Sequence, residues 1–223
     1  MGSNYSLKYN VDLVLCIDAT YSMNGILDTV KRNAINFPDD LKRTMEQKGK
    51  YINQLRMRII AFRDYMADGE QAMLATDFFV MPDEKDRFKD LIMTIEPDGG
   101  GDDPEDGLEA LAYAIESDWT KGGDKRRHVV VVWTDAATHA IGYGKKSQYY
   151  PQGMPKSFGE LTELWDEHMD SNAKRLLIYA PDEEYWNTIS DCWDNTLHFM
   201  SVAGNGLEEI EYKEILSEIS NTI

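Results

Sequence analysis

Apolar runs and helical stripes alternate along nearly the whole chain. Val11-Asp12-Leu13-Val14-Leu15-Cys16-Ile17 reads as a first strand. Ile26, Leu27, Val30, Ala34, Phe37 and Leu41 then recur at three- and four-residue steps, the period of a helix with one buried face, which Pro38 is expected to kink or interrupt. Residues 56–62 and 74–80 read as two further strands. No helical stripe separates them, so a hairpin and one antiparallel edge strand are expected. Residues 84–95 predict a short helix, and Gly99-Gly100-Gly101 breaks the chain. Asp103-Pro104-Glu105-Asp106 then carries helix-start chemistry, with Asp103 as cap and Pro104 in the first helical position. Leu108, Leu111, Ala112, Ile115 and Trp119 stripe that helix.

His128-Val129-Val130-Val131-Val132-Trp133 is apolar without alternation, the mark of a central strand buried on both faces. Helix is expected at 157–170 and 183–193, strand at 175–179 and 197–202, and a closing helix striped by Tyr212, Ile215, Leu216 and Ile219. Strand–helix alternation of this kind predicts an α/β domain with a largely parallel sheet covered on both faces. No linker divides the sequence, so residues 1–223 are read as one domain.

Composition narrows the function. A net charge of −17 argues against nucleic acid or an anionic membrane as partner. The densest basic group, Lys121, Lys125, Arg126 and Arg127, reads as a solvated connection. No apolar run approaches the ~20 residues of a membrane helix, and Met1 to Asn10 has neither apolar core nor basic prefix, so no signal peptide is expected. Cys16 lies in the first strand and Cys192 in a helical pattern; both are expected to be buried free thiols, consistent with a reducing cytoplasm.

The first strand runs into Asp18-Ala19-Thr20-Tyr21-Ser22. Ligands of open parallel sheets bind outside the carboxyl ends of strands. Alternation lets positions 18, 20 and 22 present one carboxylate and two hydroxyls, donors that suit a hard cation such as Mg²⁺. Asp135 ends the central strand, and Asp102 and Asp103 follow the glycine run. Three acidic loops at one sheet edge would repel one another without a cation between them.

At these residues the sequence resembles the von Willebrand factor A-type domain over nearly its whole length. Asp18, Thr20 and Ser22 match the Asp-x-Ser-x-Ser loop of that family's metal-ion-dependent adhesion site, with Thr in place of the first Ser, and Asp135 matches its third loop. The middle loop, Gly99-Gly100-Gly101-Asp102-Asp103-Pro104-Glu105, lacks the family's Thr and looks like a Gly-Gly-Gly-Asp-x-Pro-Glu subgroup in which Asp102 takes that position. The resemblance implies a Rossmann-like open sheet of about six mostly parallel strands. It further implies one Mg²⁺ per chain (Mn²⁺ or Ca²⁺ as alternatives), with an open position for an acidic residue of a protein partner. Asp64 and Asp103 are candidates for a supporting shell around the ion, while His139 stands outside the ligand set. Residues 140–156 form a long glycine- and proline-rich connection on the metal side, where Tyr143, Tyr149 and Tyr150 are candidates for partner contact.

The expected function is a non-enzymatic, metal-dependent protein-binding module in an intracellular complex. Two other readings stay open: a Mg²⁺-dependent phosphohydrolase of the haloacid dehalogenase type, and a scaffold whose metal only stabilises its loops. The hydrolase normally needs Asp-x-Asp, and position 20 is Thr. No Gly-x-x-x-x-Gly-Lys-Ser/Thr phosphate loop occurs.

Overall fold

The computed structural model describes residues 8–101, 103–201, 216–217 and 220–221. Strands β1 (Lys8–Asp18), β2 (Tyr51–Phe62), β3 (Met73–Ala75), β4 (Phe79–Met81), β5 (Lys125–Trp133), β6 (Lys174–Pro181) and β7 (Thr196–Ser201) form a seven-stranded sheet ordered β3-β2-β1-β5-β6-β7, with β4 also on β2. The β2-β1-β5-β6-β7 pairs are parallel, and β3 and β4 run antiparallel to β2. Helices α1 (Leu27–Gln47), α2 (Lys85–Ile92), α3 (Gly107–Ile115), α4 (Phe158–His168) and α5 (Glu184–Cys192) complete the α/β fold. Among the described residues, no helix is long and apolar enough to cross a membrane.

Successive side chains of a strand point to opposite faces, and two cores follow from this. Leu13, Leu15 and Ile17 of β1 join Val129, Val131 and Trp133 of β5 beneath α1 and α2. Val14 and Cys16 join Val130 and Val132 beneath α3, α4 and α5. Each large side chain so buried contributes about 1.5–3 kcal/mol, which explains how the fold overrides one local signal. The helix α1 runs through Pro38 without a break, because Leu27, Val30, Phe37, Leu41 and Met45 are all buried along it. Their summed burial exceeds the roughly 3 kcal/mol that an internal proline costs.

Three other expectations need correction. The strand expected at 74–80 is two short pieces, β3 and β4. Between them the Thr76 hydroxyl accepts from the Ile59 amide at 3.1 Å and donates to Asp77 O at 2.8 Å, so a side chain takes over the ladder. The helix expected from Asp103 begins at Gly107, after the Glu105 amide has been drawn to Ala137 O at 3.0 Å. Cys192 ends α5 and is exposed; Cys16 is buried, and both thiols are free. Of the closing helix, only residues 216–217 and 220–221 lie within the described chain.

The register positions the site. Asp18 pairs with Phe62 at the ends of β1 and β2, and Ile17 pairs with Trp133 at the end of β5. The sheet grows from β1 toward β2 on one side and toward β5 on the other, so the β1/β5 junction is the topological switch point, where a crevice opens beyond the strand ends.

Candidate metal centre

Three loops meet in that crevice and are clasped to one another through backbone. Asp98 N donates to Ala19 O at 3.1 Å and Tyr21 N to Gly99 O at 3.2 Å, which lays the glycine run on the first loop. The Glu105 amide donates to Ala137 O, and His139 N returns to Glu105 O at 2.8 Å, which ties the glycine loop to the segment after β5. Arg63 supports the same junction. Its guanidinium donates to the carbonyls of Ala19, Asp98, Glu96 and Gln71 at 2.7–2.9 Å. Its charge is thus spent on backbone rather than on a carboxylate.

The first loop carries a continuous chain of oxygens. Asp18, wholly buried, accepts from the Thr20 hydroxyl at 2.6 Å and the Thr20 amide at 2.9 Å through Oδ1, and from the Thr134 hydroxyl at 2.6 Å through Oδ2. The Thr20 and Ser22 hydroxyls lie 3.1 Å apart, and Ser22 donates to Asp135 Oδ1 at 2.9 Å. Ala19 is buried and Tyr21 points out, 68% exposed, so positions 18, 20 and 22 face one way. Thr20 precedes a short 3-10 turn but does not cap it; its hydroxyl serves Asp18 instead.

Thus Thr20, Ser22 and Asp135 line a cleft of about 440 Å³ together with Glu105 and the exposed Asp103, while Asp18 is buried behind Thr20, whose hydroxyl it holds. Asp102 lies outside the described residues. Asp64 closes its own turn, its Oδ1 accepting from the Met66 and Ala67 amides. The tyrosines divide. Tyr150 packs edge-on against Tyr65 at 5.2 Å and donates to Glu109 Oε1 at 2.8 Å. Tyr143, stacked on His139, and Tyr149 remain 49% and 46% exposed.

Two site residues are missing from the sequence reading. In the sequence Thr134 stands only as the residue before Asp135, and Glu105 only as the last residue of the middle-loop motif and an acid at a helix start, neither as a candidate ligand. Glu105 is buried in the cleft, and a Cβ on Gly100 would lie 2.8 Å from its Oε1 and 3.0 Å from Thr20 Cβ. Gly100 also has φ +79°, so this close approach of loop to loop needs a glycine.

The electrostatics are those of an uncompensated acidic pocket. Asp18, Asp64, Glu105, Asp106, Glu109 and Asp135 are all buried in this region. Burial pushes the Asp18 carboxyl up to about 6 against the opposing hydroxyl bonds of Thr134 and Thr20. Glu105 is driven to about 9 by burial and by Asp18, Asp64, Asp68 and Asp106. Asp135 is raised by burial, with Asp103 adding to the effect and Ser22 opposing it. Asp135 Oδ2 and Glu105 Oε2 are buried with no hydrogen-bond partner among the described residues. Buried anionic oxygens persist when they are paired or coordinate metal. Carboxylates and hydroxyls with unused lone pairs fit a hard divalent cation. Asp18, Thr20, Ser22, Asp135 and Glu105 are the residues that could hold it.

Comparison with solved structures gives the same architecture. The PilB minor pilin from Streptococcus sanguinis superposes with a TM-score of 0.58 at 10% identity, over 99% of this chain and 63% of the pilin. A von Willebrand factor type A protein from Catenulispora acidiphila gives 0.55 at 11% identity, over 96% of this chain and 42% of that one. The pilus adhesin SpaC from Lactobacillus rhamnosus GG gives 0.56 at 11% identity, over 98% and 31%. This chain therefore spans less than two thirds of each of these structures, and the likeness is one of fold. No curated protein sequence matches it. Residues 12–143, more than half of the chain and including both Asp18 and Asp135, match the family model for the von Willebrand factor A domain. The chain belongs to the von Willebrand factor A domain family.

Proposed function

We propose that this domain is a divalent-metal-dependent protein-binding module of the adhesion-site type. Asp18, Thr20, Ser22 and Asp135 would hold one Mg²⁺, with Mn²⁺ or Ca²⁺ as substitutes, and Asp102 of the Gly-Gly-Gly-Asp-x-Pro-Glu loop would complete the set. The observation that carries this reading is the relay of oxygens from Asp18 through Thr20 and Ser22 to Asp135, ending on a buried Asp135 Oδ2 that has no hydrogen-bond partner among the described residues. A bound cation would give these oxygens a shared partner, and its open position would accept an acidic side chain from another protein. The minor pilin and the pilus adhesin among the similar folds accord with such a role. Two unpaired thiols, Cys16 and Cys192, favour an intracellular setting.

Glu105 and Asp102 set the character of the site. Each additional carboxylate tightens metal binding and lowers the ion's appetite for an incoming acid. This site is accordingly a stronger metal holder and a gentler partner trap than one built with a threonine in the middle loop. The role is non-catalytic: position 20 offers a hydroxyl where phosphoryl transfer of the haloacid dehalogenase type needs a proton-donating acid.

Calorimetry on chelator-stripped protein tests the proposal. Wild type should bind one Mg²⁺, and Asp18→Ala should lose it while circular dichroism stays native. Absence of binding in the wild type sinks the reading. Asp18-dependent turnover of phosphomonoesters would replace it with the hydrolase.

A further inference from the structure

Beside the adhesion-type cleft lies a second cluster with a different donor set. Asp64 follows β2, Asp106 precedes α3, and His139 lies beyond β5; they are 1%, 0% and 6% exposed. One ligand-capable atom from each lies within 4.8 Å of the other two. We propose that Asp64, Asp106 and His139 form a second metal site, separate from the first, for a divalent transition ion of the Zn²⁺ type. This inference is independent of the adhesion-site reading.

The geometry supports it in three ways. First, each carboxylate is fixed by backbone through one oxygen. Asp106 Oδ2 accepts from Tyr65 N at 2.7 Å, and Asp64 Oδ1 accepts from the Met66 and Ala67 amides. The remaining Asp64 oxygen, Oδ2, is buried without a hydrogen-bond partner among the described residues. Second, Asp106 Oδ1 lies 3.3 Å from His139 Nδ1, longer than the ~2.7–2.9 Å of a charge-assisted hydrogen bond. Two donors each ~2.1 Å from a shared ion at a tetrahedral angle stand ~3.4 Å apart. Third, among the described residues no lysine or arginine forms an ion pair with Asp64 or Asp106, and Asp106 meets the His139 ring instead.

The donors also choose the ion. Mixed imidazole and carboxylate ligands suit Zn²⁺, Mn²⁺ or Fe²⁺ better than Mg²⁺, which prefers oxygen alone. The consequence would be mechanical. One ion would tie the end of β2, the start of α3 and the segment after β5, and it would fix the His139 ring on which Tyr143 stacks at 3.8 Å. Tyr143 stands on the proposed partner-binding side, so metal loading here would set the posture of a contact residue.

The test uses the full chain, stripped with chelator and then saturated with Mg²⁺. Co²⁺, the spectroscopic stand-in for Zn²⁺, should bind one further equivalent with visible d–d absorption and be displaced by Zn²⁺. His139→Gln and Asp64→Asn should each weaken that equivalent by at least ~10-fold, whereas Asp18→Asn should leave it in place. No Co²⁺ uptake above Mg²⁺ saturation overturns the proposal. So does an equivalent that survives both His139→Gln and Asp64→Asn, or one lost only in Asp18→Asn, which would put the ion in the adhesion cleft. A failure of the adhesion reading looks different, as Mg²⁺ binding indifferent to Asp18. Pulsed electron paramagnetic resonance on Mn²⁺-loaded wild type needs no variant and covers the case of a misfolded substitution. Modulation from a directly bound imidazole nitrogen is expected, and its absence overturns the second site.

Discussion

Adding one methyl group at Gly100 probes whether the cleft depends on loop-to-loop contact. Gly100 has φ +79°, and its new Cβ would lie 2.8 Å from Glu105 Oε1, 3.0 Å from Thr20 Cβ and 3.1 Å from Thr20 Cγ2. The left-handed backbone alone costs a non-glycine residue about 1–2 kcal/mol. Thr20 cannot step aside, because its hydroxyl is held by Asp18 at 2.6 Å and its amide by the same carboxylate at 2.9 Å. Glu105 would have to swing, and overpacking of this kind costs about 1–3 kcal/mol. Gly100→Ala should therefore lose about 2–5 kcal/mol, a substantial part of the ~5–15 kcal/mol that holds a domain folded. Urea unfolding of the metal-free protein reads the loss, and calorimetry should show Mg²⁺ affinity falling with it, since the displaced atoms belong to the donor set. Gly122→Ala is the control: no atom lies within 4 Å of its Cβ, and its backbone is not left-handed. It should stay within ~0.5 kcal/mol of wild type. A Gly100→Ala protein as stable as this control would refute the placement of the glycine loop against Thr20.

Two further outcomes follow from the site. The carboxyls of Asp18 and Glu105 sit above their unfolded values, 3.8 raised to about 6 and 4.5 raised to about 9. The folded state therefore holds protons that the unfolded chain releases, and metal-free stability should be greatest in acid and fall as pH climbs through that window. Thermal melts with and without Mg²⁺ check the sign; a metal-free melting temperature that rises across the window contradicts it. In the tyrosine loop, Tyr150→Phe removes the bond to Glu109 and should cost about 1–2 kcal/mol of stability. Tyr149→Ser, at a half-exposed ring, should weaken metal-dependent partner capture while leaving the melting temperature unchanged.

Much of this site could be read from the sequence because its residues end strands. An apolar run such as Val129 to Trp133 announces where a buried strand stops, and the polar residue that follows must stand at the sheet edge. Asp18 and Asp135 are such residues, and parallel pairing of β1 with β5 brings them to the same edge. The alternation at 18, 20 and 22 is equally local, so Thr20 and Ser22 could be placed by counting. Glu105 could not. Within Asp103-Pro104-Glu105-Asp106, local chemistry favours a helix start, and a first-turn acid is expected to face solvent. Two distant contacts change the outcome. Glu105 bridges to Thr138 across 33 residues, which holds Glu105 in a strand-like bridge outside the helix. Gly107 then begins α3 beneath Trp186, whose ring would stand 2.8 Å from any Cβ there. Delaying the helix by one turn is what turns Glu105 inward. The same delay sets Asp106 beside His139, so the feature that hid one cleft carboxylate also built the second cluster. Local pattern finds ligands carried on strand ends, and it misses those carried on a loop that another loop has straightened.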